Sequence, residues 1–486
     1  MKKLLDRLFR FTARFAVYGS LGAVLALLVV FVVHLNGRQD LQVWHTADLN
    51  EEYTEHSGVT SFDRYLDLEE RLFQQLDQQV YAKTGRSESA GIDRYQSGSL
   101  ADPERWSPNW NRSYLMDVEE PRASVLLLHG LSDAPYSLRR MAMRLHESGA
   151  TVLGLRVPGH GTAPSALTTV TWKDMAAAVR LGVRHLAENN PGLPIYVVGY
   201  SNGAALAVEY VLETLVDPDL PSVGRLVLVS PEIGVAPAAA LAVWQARLGQ
   251  FLGLEKLAWH SIQLEYDPFK YGSFAVNAGD VSHQITQKIQ GLLQRLSNEG
   301  RLEDIPPMLA FSSVVDTTVD VTALVGELFN RLSEGNHELV LFGINQRADV
   351  GGLLRWKPDV IIDTLKAVSR RNYTLSLVTN RDPGSQQVIE RKWQPGKDES
   401  VDRNLGMSWP PGVYSLSHVA LPFAPDDPLY GNGSGQESPG IQLGNLALRG
   451  ERGALAIGDS AQIRQRWNPF YSYLEDKSLD FLQLGY

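Results

Sequence analysis

Ile195-Tyr196-Val197-Val198-Gly199-Tyr200-Ser201-Asn202-Gly203-Ala204 runs from an apolar strand, through a glycine-bounded turn, into a helix that continues to about Leu212. Gly199 to Gly203 is a G-x-S-x-G pentapeptide. The pattern is common by chance, but here a strand precedes it and a helix follows, the setting in which it carries chemistry. A serine on so sharp a turn sits in a strained backbone conformation. Glycines two residues before and after it remove the Cβ atoms that would clash. The hydroxyl is then lifted above the sheet, at the positive end of the next helix. The plain alternative is a glycine-rich turn with a capping serine; the order strand, turn, helix favours Ser201 as a nucleophile.

Outward from this turn the chain alternates strand with helix. Strands are expected at Ser124–Leu128, Thr151–Leu155, Ile195–Val198, Leu226–Val229 and Met308–Phe311. Helical stretches at Leu138–Glu147, Trp172–Glu188 and Ala204–Leu212 separate the first four. Such alternation gives a mostly parallel sheet with helices on both faces. Residues 236–304 interrupt it with a helix-rich, aromatic stretch including Trp244, Phe251, Trp259, Tyr266, Phe269, Tyr271 and Phe274, read as an inserted cap. Further strands are expected at Glu338–Phe342, Tyr373–Val378 and Val413–Leu416, with a helical piece at Val360–Val368.

A serine alkoxide needs a base, an acid to orient the base, and donors for the oxyanion. One donor is the backbone N–H after the nucleophile, Asn202; the other belongs to the loop after an earlier strand, where Gly130 lets the chain turn and Leu131 follows. Partners on this kind of sheet come in the order serine, acid, histidine. Asp316 directly follows the strand at 308–311, whereas Asp320 stands where a helix cap is expected. Two histidines lie beyond Asp316. His337 precedes a strand and so lies at the wrong end of the sheet; His418 follows the expected strand 413–416 and is the chosen base. His129 is read as shaping its loop.

These residues resemble the α/β-hydrolase superfamily, in its carboxylesterase and monoacylglycerol-lipase-like branch, often grouped with serine aminopeptidases. The likeness rests on Leu-Leu-Leu-His129-Gly130, on Arg156-Val-Pro-Gly159-His160-Gly161 with Trp172 and Asp174, and on Gly199–Gly203. It implies the same triad and oxyanion residues, a structural His160, and a substrate-binding lid in the insertion. Two departures stand out. An extra strand–helix–strand unit, about 337–411, lengthens the interval from acid to histidine. The family's histidine is expected after the strand Glu338–Phe342, yet Gly343-Ile-Asn-Gln-Arg347 contains none.

Residues 15–35 form an apolar stretch whose helical length roughly matches a bilayer core. Lys2, Lys3, Arg7, Arg10 and Arg14 precede it, and Asp40, Asp48, Glu51 and Glu52 follow. The positive-inside rule puts segment 1–14 in the cytoplasm and the remainder on the far side, as for a periplasmic domain tethered to a bacterial inner membrane. The apolar run is longer than a signal peptide's, and no A-x-A site follows it, so an uncleaved anchor is expected. Residues 36–118 read as an extension with a helix at Phe62–Val80, and 119–486 as the hydrolase domain.

With 486 residues, 44% apolar and 21% charged, the chain has an ordinary globular composition. It has no cysteine, which removes thiolate chemistry and disulfides, and its net charge of −10 disfavours nucleic acid. No metal-ligand spacing and no cofactor motif is found. Three functions are weighed: hydrolysis of acyl or lipid-like esters, aminopeptidase-type cleavage with a cap acid such as Glu255 or Glu265 holding the amine, and binding without catalysis.

Overall fold

The computed structural model describes residues 2–84, 91–234, 255–348, 371–445 and 464–485, with Ile362, Asp363 and Leu365. Among these, ten strands form one sheet. They are β1 (Tyr114–Met116), β2 (Ala123–Leu128), β3 (Ala150–Leu155), β4 (Ile195–Tyr200), β5 (Arg225–Val229), β8 (Met308–Ser313), β9 (Glu338–Phe342), β10 (Thr374–Asn380), β11 (Gln387–Trp393) and β12 (Ser400–Ser408). A separate two-stranded ribbon pairs β6 (Trp259–Ser261) with β7 (Phe274–Ala275). The sheet order is β1-β3-β2-β4-β5-β8-β9-β10-β11-β12. From β3 to β10 the neighbours are parallel; β1, β11 and β12 pair antiparallel at the edges.

Alternation along each strand divides the core. Leu126, Leu128, Val197, Leu226, Leu228 and Ala310 face the helices Trp172–Asn189, Asn202–Thr214 and Val276–Asn298. Val125, Leu127, Val198, Val227 and Phe311 face the helices Arg139–Glu147 and Tyr471–Phe481. Strands buried on both faces read as continuous apolar runs, which is why this half of the chain is legible from sequence.

Three readings change. The stretch read as a cap divides: 235–254 lies outside the described residues, β6 to β7 forms a ribbon over the site, and Val276–Asn298 covers the sheet itself. That helix buries Ala278, Val281, Ile285, Ile289 and Leu293 in the core shared with the helix after β4, as the crossover between the parallel neighbours β5 and β8. Val413–Leu416 is not a strand but an irregular segment. β11 and β12, which the apolar pattern missed, extend the sheet instead; β12 is largely exposed and carries Asp402, Arg403 and Asn404, so no alternation marks it.

The extension before β1 packs tightly. Ser61 caps the helix Phe62–Leu76, which buries Tyr65, Leu68, Leu72 and Phe73. Its Glu69, with Glu52, pairs with the fully buried Arg156 at 2.9 and 3.0 Å. Removing water from a guanidinium is costly unless charge and geometry compensate, so these two carboxylates lock the extension onto the loop after β3. Near the N-terminus a helix runs over Lys2–Asn36. Among the described residues no helix is long and apolar enough to cross a membrane.

Candidate active site

Ser201 joins β4 to the helix Asn202–Thr214 with φ +54° and ψ −117°. That conformation costs a β-carbon residue energy and persists only where the surroundings enforce it. Here they do: Ser201 N donates to Val229 O at 2.9 Å, and Ser201 O accepts from Ala204 N and Glu232 N at 3.0 and 3.1 Å. The flanking glycines leave no room for alternatives. A Cβ on Gly199 would lie 2.5 Å from Ala204 Cα, and one on Gly203 only 2.1 Å from Leu128 O. The helix can therefore fold back close to β4 and approach β2 only without side chains at Gly199 and Gly203.

Asp316 follows β8, and its Oδ1 accepts from Thr318 N at 2.8 Å and Val319 N at 3.0 Å. Its Oδ2 lies 2.8 Å from His418 Nδ1, and His418 Nε2 lies 3.0 Å from Ser201 Oγ. All three side chains are buried. Burial pushes the Asp316 carboxyl up, but the His418 ring and the two backbone donors outweigh it and hold the group below its usual range. Asp320, by contrast, caps the helix Val321–Glu327 by accepting from Thr322 N at 2.8 Å.

His418 reaches this position by an unexpected route. After β12 the chain returns across the ends of β9 and β10 without pairing as a strand. Asn345, in the segment where the resemblance expected a histidine, donates its N–H to Tyr414 O at 2.8 Å and its Nδ2 to Val413 O at 3.0 Å. Asn380 Nδ2 holds Asn345 Oδ1 at 3.2 Å. The short turn His418–Ala420 follows, and the imidazole packs 5.6 Å from the Tyr200 ring. Nothing in the sequence around Asn345 signals this contact.

His337, His129 and His160 are occupied elsewhere. His337 Nδ1 accepts from Met308 N at 3.2 Å, at the start of β8, and burial lowers its pKa to about 4. His129 Nε2 accepts from Val157 N at 3.0 Å, and its Nδ1–H points to Gly130 O at 2.9 Å, shaping the loop after β2. His160 turns back on Val157 O and Pro158 O, and burial lowers its pKa to about 4.

The loop after β2 lies against Ser201: a Cβ on Gly130 would stand 3.1 Å from Ser201 Cβ. Among the described residues no hydrogen bond uses the backbone N–H of Leu131 or of Asn202. Glu232, one residue beyond Pro231 at the end of β5, was not singled out from sequence. Burial raises its pKa, opposed by Ser282, His418 and Asn202 around it.

A cavity of about 1020 Å³ opens beside His418. Its walls mix Tyr266, Phe423 and Tyr430 with Asp267, Lys270 and Arg464, so it is less apolar than the aromatic insertion suggested. Of the cap aromatics, Trp244 and Phe251 fall outside the described residues; Phe269 stacks on Tyr136 at 4.4 Å and Trp259 packs edge-on to His45 at 4.8 Å. Glu265 does not face an amine site: its oxygens accept from Gly272 N and Ser273 N inside the ribbon. Glu255 stands on the exposed turn before β6. Among the described residues no cluster of three His, Asp or Glu is arranged to hold a metal.

Residues 119–342 match the family model described as Hydrolase_4: Serine aminopeptidase, S33. A thermostable monoacylglycerol lipase from Bacillus sp. (strain H-257) is 33% identical over 91 residues, covering 19% of this chain and 36% of that protein. Among solved structures, one described as LipS and LipT, two metagenome-derived lipolytic enzymes, matches at 19% identity with a TM-score of 0.38, covering 53% of this chain and 96% of its own. A Paleococcus ferrophilus monoacylglycerol lipase matches at 17% identity with a TM-score of 0.36, covering 52% and 97%.

Proposed function

We propose that this chain, whose residues 119–342 belong to the α/β-hydrolases of the carboxylesterase and monoacylglycerol-lipase-like branch, hydrolyses carboxylic esters through an acyl-enzyme on Ser201. The observation that carries the reading is the chain of contacts Asp316–His418–Ser201, at 2.8 and 3.0 Å, behind a serine in a forced conformation.

The chemistry follows from the geometry. His418 Nε2 takes the Ser201 proton as Oγ attacks the ester carbon, and Asp316 stabilises the resulting imidazolium while fixing its tautomer. The former carbonyl oxygen becomes an oxyanion received by the N–H groups of Leu131 and Asn202. As the carbon–oxygen bond to the alcohol breaks, the imidazolium returns the proton to the leaving alkoxide. Water, activated by the same ring, then releases the acid and regenerates Ser201.

An ester substrate of acyl or lipid-like character suits a cavity with both aromatic and polar walls. The purified protein, given acyl esters and aminoacyl anilides side by side, should turn over the esters and form a fluorophosphonate adduct at Ser201. Turnover of the anilides alone would favour the aminopeptidase reading, and absence of both turnover and adduct the non-catalytic one.

The segment 15–35 is read from its apolar sequence as a membrane anchor, with residues 1–14 in the cytoplasm and the hydrolase domain on the far side. Its support is the row of exposed apolar side chains Phe15, Val17, Leu21, Leu25, Val29, Val30 and Val33, a surface that water disfavours. The protein should stay with membranes through alkaline carbonate washing and be released when residues 1–36 are removed; full-length protein in the soluble fraction would overturn the anchor.

A further inference from the structure

The ribbon between β6 and β7 meets the loop after β2 at two points. Lys270 Nζ lies 2.9 Å from Asp133 Oδ1, with Asp133 only 5% exposed, and Tyr271 N donates to Ser132 O at 2.8 Å. Both contacts fall within two residues of Leu131, whose N–H is free for a ligand. Ser132 has φ +63°, a left-handed conformation that is unfavourable for a residue other than glycine. A strained residue of this kind relaxes unless its neighbours hold it. The loop's own bond, Asp133 N to Gly130 O at 3.2 Å, closes a turn but does not fix its direction. Asp133 Oδ2 also presses on Gly130, standing 2.9 Å from where a Cβ there would be.

The ribbon is itself held from behind, which makes it able to hold something else. Thr162 N donates to Tyr271 OH at 2.8 Å, and Arg94 N donates to Glu265 O at 2.8 Å. His45 Nε2 and Ser273 Oγ are 2.9 Å apart, and Arg38 Nη1 donates to Lys256 O at 2.8 Å. The extension before β1 thus grips the ribbon, and the ribbon grips the loop.

We infer that Lys270 and Asp133 are positioning residues for the oxyanion site: their ion pair, with the Tyr271–Ser132 bond, aims the Leu131 N–H at the developing oxyanion. The inference rests on the ester-hydrolase reading above. An oxyanion donor acts through direction as much as presence, because its advantage lies in being aimed before charge develops. Without Lys270, Asp133 becomes a buried, unpaired carboxylate beside Gly130, and the loop must move to hydrate it.

The test uses the full-length protein, a short-chain nitrophenyl ester and a boronic acid whose tetrahedral adduct on serine also fills the oxyanion site. Lys270→Met should lower kcat about 10- to 100-fold with KM changed less than about threefold: outright loss of one oxyanion donor costs about 10²- to 10³-fold in kcat, and a misdirected donor loses only part of that. Boronate affinity should fall alongside kcat, and Lys270→Arg should restore both. Lys270→Met with unchanged kcat, or a loss carried by KM with boronate binding intact, overturns the inference. Should Lys270→Met fail to fold, Lys270→Arg and Asp133→Asn decide: activity retained in the first and reduced in the second supports the pair, and equal activity in both overturns it. Wild-type protein that neither hydrolyses esters nor reacts with a fluorophosphonate overturns the ester reading and this inference together; an active wild type with indifferent variants overturns this one alone.

Discussion

Asn345 binds the backbone at Val413 and Tyr414 from the end of β9, its N–H reaching Tyr414 O at 2.8 Å, four residues before His418. The resemblance expected the catalytic histidine in the segment Asn345 occupies. The insertion carrying β10 to β12 separates β9 from the histidine in sequence, and Asn345 closes that separation in space. An amide suits the task because it donates to one carbonyl while accepting from Asn380 Nδ2 and Arg347 N.

Asn345→Ala should therefore act on the proposed base, His418, without touching substrate. The backbone bond to Tyr414 survives, but Val413 O and Asn380 Nδ2 lose a partner, at a cost of about 1–3 kcal/mol of stability. We expect kcat to fall about tenfold with little change in KM, because a misplaced catalytic group loses rate rather than binding. Steady-state kinetics beside a thermal melt measures both; unchanged kcat would show that His418 needs no such support.

His418→Ala and Ser201→Ala should each reduce turnover about 10⁴-fold or more while the melting temperature stays near that of the wild type. His337→Ala should do the reverse, since its imidazole only accepts from Met308 N: a lower melting temperature with near-normal kcat. Loss of activity in His337→Ala with retention in His418→Ala would exchange the two assignments.

Gly203→Ala should destabilise the fold by about 3 kcal/mol or more, because the new methyl meets the backbone at Leu128 O and His129 O and cannot be accommodated by side-chain movement. Gly291→Ala, on the helix Val276–Asn298, meets nothing within 4 Å and should stabilise by about 0.5–1 kcal/mol through helix propensity. Denaturant unfolding of the pair separates steric closure of the elbow from general intolerance to alanine.

Glu265 gives a pH prediction with a definite sign. Burial raises its carboxyl from 4.5 to about 7, against the pull of Gly272 N, Ser273 N and Arg94. The folded protein therefore holds this proton more tightly than the unfolded chain does. Its ionisation penalty is absent below the unfolded value and complete above about pH 7, where it is on the order of 3 kcal/mol. Glu265→Gln keeps an oxygen acceptor and cannot ionise. The stability of wild type relative to Glu265→Gln should fall as pH rises from 4.5 to 8; a difference flat with pH would show that Glu265 titrates normally.

The parallel half of the sheet was legible because β2, β4, β5 and β8 are buried on both faces, and burial writes itself as short, nearly continuous apolar runs. Ser201 was legible for a related reason: Gly199 and Gly203 are required by contacts as short as 2.1 Å, so the pentapeptide records a steric fact. The antiparallel edge was not. β12 exposes most of its side chains, leaving no apolar period to find, while Val413–Leu416 has a strand's composition but no strand beside it to pair with.

By itself the sequence determined the elbow and the order in which serine, acid and histidine are sought, because these depend on local backbone sterics and chain direction; it pointed to His418 through an expected strand at 413–416 that the structure does not contain. Tertiary structure alone decided how His418 arrives, through Asn345 rather than a strand, and how the loop carrying Leu131 is braced, through Lys270 and Asp133. Those contacts join residues more than sixty positions apart, and hydrogen bonds at such separation leave no periodicity in the chain. Only the closed packing of extension, ribbon and sheet brings the partners within reach.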